Sequence, residues 1–148
     1  MLKRDLLRNI IIVTVFIAIL VGLRLFVYTP YRITKQDANS FLAENDLVLA
    51  DKTAKLARGE FALYEVDGKE YVGRVIAMEN DKVTYMDNLL YLNDQVQSEQ
   101  YIEKMREKYL ASAASTGYYT HDFSIVDLKG ATSDTIPKNS FLILNDRR

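Results

Sequence analysis

An uninterrupted apolar run near the start of the chain constrains the fold most. No charged residue occurs from Ile10 to Leu23, and after Arg24 the apolar pattern continues to Tyr28. Because the Arg24 side chain can reach the interface, the run is long enough to cross the hydrocarbon core of a membrane. It is apolar on every face, whereas a helix of a soluble core has one apolar stripe. We therefore predict a transmembrane anchor over residues 10–28.

A cleaved secretory signal is the alternative, since the uncharged stretch alone has the length of a signal sequence's apolar region. No small-x-small cleavage site follows it, and Thr29-Pro-Tyr-Arg-Ile leads directly onward, which favours an uncleaved anchor. Lys3, Arg4 and Arg8 precede the run with one acid, Asp5. The positive-inside rule then predicts a single-pass cell-membrane protein with residues 1–9 in the cytoplasm and a domain of residues 29–148 outside.

The remainder of the chain is mildly acidic and lacks cysteine. Outside residues 1–28 it carries 15 basic and 19 acidic residues, a net charge of −4, which argues against nucleic acid as a partner. Disulfides and thiolate zinc sites are excluded by the missing cysteines. His121 is the single histidine and no ligands cluster around it, so we predict no metal and no cofactor.

Short β-type segments separated by polar turns predict a mainly β fold beyond the anchor. Asp67-Gly68 predicts a tight hairpin, and Glu79-Asn-Asp-Lys a further turn, so that residues 60–86 would form a three-stranded meander. The predicted strands are Tyr31–Thr34, Leu47–Asp51, Glu60–Glu65, Lys69–Met78, Lys82–Met86 and Ser140–Leu144. Apolar residues at helical spacing predict one inserted amphipathic helix, Asp94–Ala114.

Two segments resemble the active-site boxes of a protease family. Residues 33–42 read I-T-K-Q-D-A-N-S-F-L and residues 71–76 read Y-V-G-R-V-I. They resemble the nucleophile box V-x-G-x-S-M-x-P-T-L and the general-base box Y-V-K-R-V-I of type I signal peptidases. Residues 142–148 are similar to the opening of that family's final box, L-G-D-N-R. The S-x-D-S-R that usually follows is missing, so the chain is either shortened or divergent there. The resemblance implies a signal-peptidase-like β-fold of short antiparallel strands.

Asp37 stands at the position of the family's serine, and Gly73 at that of its lysine. The family's chemistry needs a hydroxyl nucleophile and a neutral amine as base. Neither is present at these positions, so we expect the chain not to be an enzyme. A displaced pair, Ser40 and Lys35, is an alternative that would require a desolvated lysine. Aspartic-protease chemistry at Asp37 would need a second carboxylate, and His121 beside Asp122 is typical of a surface residue.

The resemblance implies a groove that binds an extended peptide through backbone hydrogen bonds. Replacing serine by aspartate and lysine by glycine is expected to leave a more acidic and roomier floor. We expect Asp37 to contact a basic or amide group of the partner, or to pair internally with Lys35 or Arg74. The predicted peptide-binding residues are Ile33, Gln36, Asp37, Ala38, Val72, Gly73, Arg74 and Val75.

Aspartate and glycine at these two positions resemble the signal-peptidase-like proteins of Gram-positive pilus loci. That resemblance implies a chaperone-like role in the assembly of cell-surface pili, with pilin subunits or a pilus sortase as partners. Two alternatives are an active signal peptidase that uses Ser40 and Lys35, and a membrane scaffold that binds through the helix at residues 94–114.

Overall fold

The computed structural model describes residues 2–148 and divides the chain into two compact units. Among the described residues, the first unit comprises 2–32 and 47–55. Its helix α1 (Leu2–Phe26) includes the stretch Lys3–Phe26, which has a mean hydropathy of 2.5 and no buried residue. An apolar helix exposed on every side suits a lipid environment, so α1 could span a membrane. The boundaries 1–9, 10–28 and 29–148 remain predictions about topology.

A two-stranded antiparallel ribbon completes the first unit. β1 (Tyr28–Arg32) pairs with β2 (Leu47–Asp51), so that Tyr28 lies opposite Asp51 and Arg32 opposite Leu47. Lys52 joins this ribbon to the end of α1, because its amide donates to the Val27 carbonyl over 2.8 Å and its Nζ to the Leu25 carbonyl over 3.0 Å. A cation is favourable there, where the last helical carbonyls lack partners in the helix.

The second unit, residues 33–46 and 56–148, contains two antiparallel sheets. Its strands are β3 (Phe61–Val66), β4 (Lys69–Ala77), β5 (Val83–Met86), β6 (Leu89–Leu92), β7 (Gln95–Gln97), β8 (Phe123–Ser124) and β9 (Leu142–Leu144), and its helix is α2 (Glu103–Leu110). One sheet has the order β3-β4-β9 and the other β7-β6-β5-β8. The expectation of a mainly antiparallel β fold is confirmed. The core is formed by Ile76, Ala77, Val83, Tyr85, Leu90, Leu92, Ile125, Ile136 and Leu142.

The predicted hairpin at Asp67-Gly68 is present. Asp67 has φ 51° and Gly68 φ 75°, the left-handed conformations that a two-residue hairpin turn requires. The turn sets the register of β3 and β4, with Val66 opposite Lys69 and Tyr64 opposite Tyr71. β4 is the central strand of its sheet, and its residues are buried from Val72 to Ala77.

The predicted three-stranded meander is wrong, because β5 does not pair with β4. The turn after β4 is held by Asp81, whose Oδ2 accepts the Met78 amide over 2.8 Å and Nη2 of Arg58 over 2.7 Å. Beyond it the chain enters the second sheet, where β5 pairs with β6 and β8. The edge of β4 that does not face β3 pairs instead with β9, which lies far along the chain. The turn residues predicted the chain reversal, whereas the pairing partner depended on non-local packing.

The predicted helix over residues 94–114 is also too long. Asn93 and Asp94 have φ values of 53° and 63° and form the tight turn between β6 and β7, so a helix cannot begin there. After β7, a single 3₁₀ turn, Gln100–Ile102, leads into α2. Ile102 is buried, whereas no residue of α2 is.

Candidate functional site

The carboxylate of Asp37 joins the two segments that resemble the active-site boxes. Asp37 is 3% exposed and lies in a turn in which its amide and that of Ala38 donate to the Thr34 carbonyl. Its Oδ1 accepts the Val72 amide over 3.0 Å, and its Oδ2 accepts the Thr34 amide and hydroxyl. The turn is therefore held against β4 by a buried charge that is hydrogen-bonded to backbone.

The position of Val72 explains why its amide is available to Asp37. In an antiparallel pair, backbone groups alternate between facing the partner strand and facing away. Val75 donates to the Glu60 carbonyl on the β3 side, so the amide of Val72, an odd number of residues away, faces the other side. There β9 pairs with β4 only at Arg74, Val75 and Ala77. Asp37 supplies the acceptor where this pairing ends.

Gly73 is closely covered by the segment around β9. A Cβ atom built on Gly73 would lie 2.6 Å from Cγ2 of Ile143 and 3.1 Å from Oδ1 of Asn145. Any side chain at this position therefore requires the Ile143 side chain to move. The expectation of a roomier floor is wrong, because Ile143 and Asn145 occupy the space beside the glycine.

Arg74 forms its ion pair with Asp146. Its Nε donates to Oδ1 over 2.9 Å and its Nη2 to Oδ2 over 2.7 Å, and Nη1 donates to the Gly59 carbonyl over 2.7 Å. The rings of Phe61 and Tyr101 each lie 4.2 Å from the guanidinium carbon. The bidentate pair is buried, so Arg74, which we considered as an internal partner of Asp37, is committed to a different carboxylate.

The other predicted site residues divide by exposure. Ile33 and Val75 are buried at 1% and 0% exposure and support the site from within. Ala38 is half-buried and Gln36 is exposed. Lys35 and Ser40 are both exposed, whereas the alternative nucleophile requires a desolvated lysine. Within residues 2–148, no group of three potential metal ligands occurs.

A cleft of about 470 Å³ adjoins the turn at Gln36. We call it the Tyr71 cleft, and it is lined by Gln36, Tyr64, Val66, Tyr71, Asn145, Arg147 and Arg148. Tyr64 donates from its hydroxyl to Oδ1 of Asn145 over 2.9 Å. Burial, and then the nearby charge of Asp37, raise the pKa of Tyr64. This cleft was not predicted from the sequence, although the register set by Asp67-Gly68 places Tyr64 opposite Tyr71.

Behind the cleft lies a second buried ion pair that was not predicted. Nη2 of Arg148 donates to Oε1 of Glu99 over 2.8 Å, and the hydroxyls of Tyr85 and Tyr101 donate to the same oxygen. Burial raises the pKa of both Tyr85 and Tyr101. Hydrogen bonds with Glu99 also keep the pKa of Arg148 above its ordinary value, despite the opposing effect of burial.

An apolar N-terminal helix, antiparallel sheets and a turn held against the central strand define a protein of the signal peptidase type. The model of the family described as signal peptidase, peptidase S26, matches residues 6–148, and the chain belongs to this family.

Individual relatives agree with this assignment. The chain is 32% identical over 154 aligned residues to signal peptidase IB of Staphylococcus aureus, an alignment that covers 99% of this chain and 78% of the relative. It is 27% identical to signal peptidase I of Bacillus caldolyticus, over 90% of this chain and 72% of that protein. The crystal structure of a signal peptidase I from Enterococcus faecalis superposes with a TM-score of 0.55 at 27% identity, covering 64% of this chain and 80% of that one.

The comparisons correct one expectation. From Asp37 and Gly73 we predicted that the chain is not an enzyme, and that assignment is wrong. The chain belongs to a peptidase family and its relatives are named signal peptidases. Nothing in the geometry of the described residues demonstrates a loss of catalysis.

Proposed function

We propose that this signal peptidase family member binds an extended segment of a pilin or of a pilus sortase during the assembly of cell-surface pili. In this proposal α1 anchors the chain in the membrane of a Gram-positive bacterium, with the N-terminus in the cytoplasm and residues 29–148 outside. The apolar helix and the basic residues before its uncharged part support this orientation. Asp37 and Gly73 at the positions of the family's serine and lysine support the pilus-associated subtype.

The observation that carries the proposal is the hydrogen bond from the Val72 amide to Asp37. It holds the turn of residues 34–38 against β4 without a serine or a lysine. A preformed turn beside a strand edge favours peptide recognition, because little ordering is needed when the peptide binds. Gln36 and Ala38 lie on this turn and are accessible to a peptide.

Peptide binding tests the proposal directly. We would measure the binding of overlapping, fluorescently labelled peptides from the pilins and the pilus sortase of the same bacterium to the full chain in nanodiscs. Ala38→Arg places a bulky charged side chain on the turn and should abolish the binding of the best peptide. The matched control is Glu103→Lys with Glu107→Lys on α2, which should leave this binding unchanged. The reverse pattern would support the scaffold that binds through the helical region.

Cleavage is measured in the same samples, because the relatives are named as peptidases. Mass spectrometry of the incubated peptides reports any hydrolysis. If hydrolysis occurs and is lost in both Ser40→Ala and Lys35→Ala, the alternative peptidase function is supported. Retained hydrolysis in both variants would exclude that pair.

A cellular experiment tests the role in assembly. A strain lacking this chain is complemented with the unchanged protein, with Ala38→Arg, or with the α2 charge reversals. We expect polymerised pilin on immunoblots from the first and the third strain, and unpolymerised subunits from the second. Normal pili in the strain with Ala38→Arg would contradict the proposed role of the groove.

A further inference from the structure

The strand face that lines the Tyr71 cleft is positively charged, and the opposite face of the same hairpin is negatively charged. Directly opposite residues of an antiparallel pair share a face. Val66 lies opposite Lys69 and Tyr64 opposite Tyr71, so these four residues face the cleft side. Glu65 lies opposite Glu70 on the other face. The hairpin therefore turns its carboxylates away from the cleft and places Lys69 on the face that lines it.

The cleft presents hydrogen-bond donors without charged acceptors. The hydroxyl of Tyr71 and the side-chain amide nitrogen of Asn145 donate to none of the residues that the structure describes. Neither atom is sealed from solvent. The guanidinium of Arg147 is exposed and makes one contact, from Nη1 to the Lys35 carbonyl over 3.3 Å. No lining residue is acidic.

Of the carboxylates that lie behind the cleft, Asp146 pairs with Arg74 and Glu99 pairs with Arg148. Asp37 accepts hydrogen bonds from Val72 and Thr34 but keeps its negative charge. Among the charged groups of the lining, Arg148 is thus neutralised, whereas Arg147 has no ion pair within the described chain. The Lys35 ammonium likewise forms no ion pair there, and its carbonyl contacts Arg147. Because Arg147, Lys35 and Lys69 outnumber Asp37, the unbalanced charge around the cleft is positive.

We propose that the Tyr71 cleft binds an acidic side chain, Asp or Glu, of the extended peptide. Arg147 donates to the carboxylate, with Tyr71 and Asn145 as further donors. This inference rests on the proposed function, since Gln36 belongs both to the cleft lining and to the predicted peptide-binding turn. That continuity favours a peptide side chain over a lipid headgroup as the source of the anion.

Two peptides that differ at one atom test the specificity. The best-binding pilin or sortase peptide is synthesised with Glu and with Gln at each position in turn, and binding to the full chain in phosphatidylcholine nanodiscs is measured. At one position, Glu should bind about fivefold to tenfold more tightly than Gln. Arg147→Gln should remove this preference. Tyr71→Phe, which keeps the ring, should reduce the preference by about threefold.

Arg106→Gln is the matched control. Like Arg147, Arg106 donates one long hydrogen bond to a backbone carbonyl, that of Asn88 at 3.4 Å, but it does not line the cleft. This variant should keep the full preference for Glu. Equal loss in Arg106→Gln and Arg147→Gln would mean that only net charge matters, and would overturn the inference.

The remaining outcomes separate this inference from the proposed function. If no peptide binds the unchanged chain, the proposed function fails and the inference fails with it. If peptides bind but Glu and Gln variants bind equally at every position, only the inference fails. If inorganic phosphate binds the chain, and Arg147→Gln weakens phosphate binding without altering peptide preference, the cleft recognises phosphate and the inference is overturned.

Discussion

The amide of Val72 donates to Oδ1 of Asp37 over 3.0 Å, across 35 positions of sequence. This bond connects the turn after β1 with the central strand of the sheet. Asp37 is buried, so its carboxylate depends on this amide and on Thr34 in place of water. Asp37 thus has a structural role, independent of any contact with a partner.

Asp37→Ala should lower the free energy of unfolding by about 1–3 kcal/mol, because it leaves the buried Val72 amide without an acceptor. Asp37→Asn retains an acceptor oxygen and should cost less. Urea unfolding of the full chain in detergent, followed by near-UV circular dichroism, measures both. Glu44→Ala, at an exposed position, serves as the control for removing a carboxylate. Equal losses in the Ala and Asn variants would show that charge, and not the hydrogen bond, matters.

Gly73→Ala should destabilise the chain by about 1–3 kcal/mol, because the new Cβ overlaps Cγ2 of Ile143. In an Ile143→Ala background the same change should cost little, so the two substitutions should couple in a double-mutant cycle. Ile143→Val keeps a methyl on each Cγ position and should give no relief. Additive effects of Gly73→Ala and Ile143→Ala would contradict the packing seen here.

Asp146→Ala should cost about 3–5 kcal/mol, because it leaves the guanidinium of Arg74 buried and unpaired. Asp94→Asn removes the charge of one member of an exposed pair with Lys82, suits the left-handed backbone at this position, and should leave the stability nearly unchanged. Thermal unfolding of both variants under the same conditions compares the pairs. If both variants lose the same amount of stability, burial does not make the Arg74–Asp146 pair more important than the exposed pair.

Stability should fall as the pH rises above 10. Burial raises the pKa of Tyr85 and Tyr101 above the ordinary value of 10.0, so the unfolded chain loses these protons first. A raised folded pKa stabilises the fold below the unfolded value, and this contribution is lost as the pH rises towards the folded value. Each tyrosine lowers the free energy of unfolding by about 1.4 kcal/mol per pH unit in that interval.

Tyr101→Phe tests this explanation. In this variant the free energy of unfolding should fall less steeply as the pH rises above 10. Tyr118→Phe, at an exposed position, should leave it unchanged. Urea midpoints across alkaline pH provide the measurement. If the free energy of unfolding falls equally steeply in Tyr101→Phe and in the unchanged chain, other groups cause the loss of stability at high pH.

Local sequence signals predicted local geometry well. Asp67-Gly68 predicted a hairpin, because left-handed residues restrict a two-residue turn to a few conformations. The helix predicted at residues 94–114 was too long, because the turn at its start was not recognised. Asn93 and Asp94 adopt left-handed conformations in the turn that pairs Leu92 with Gln95, and the apolar spacing does not encode this turn.

By itself the sequence determined an apolar helix of membrane length, an antiparallel β fold and the resemblance of residues 33–42 and 71–76 to two family boxes. These follow from composition, periodicity and turn residues that act over short distances. Only the tertiary structure decided that β9 pairs with β4, that Ile143 fills the space beside Gly73, and that Arg74 pairs with Asp146 while Asp37 caps Val72. Each of these features depends on contacts between residues that lie far apart in the chain. Such contacts form in the folded protein because a buried polar group without a hydrogen-bond partner is costly.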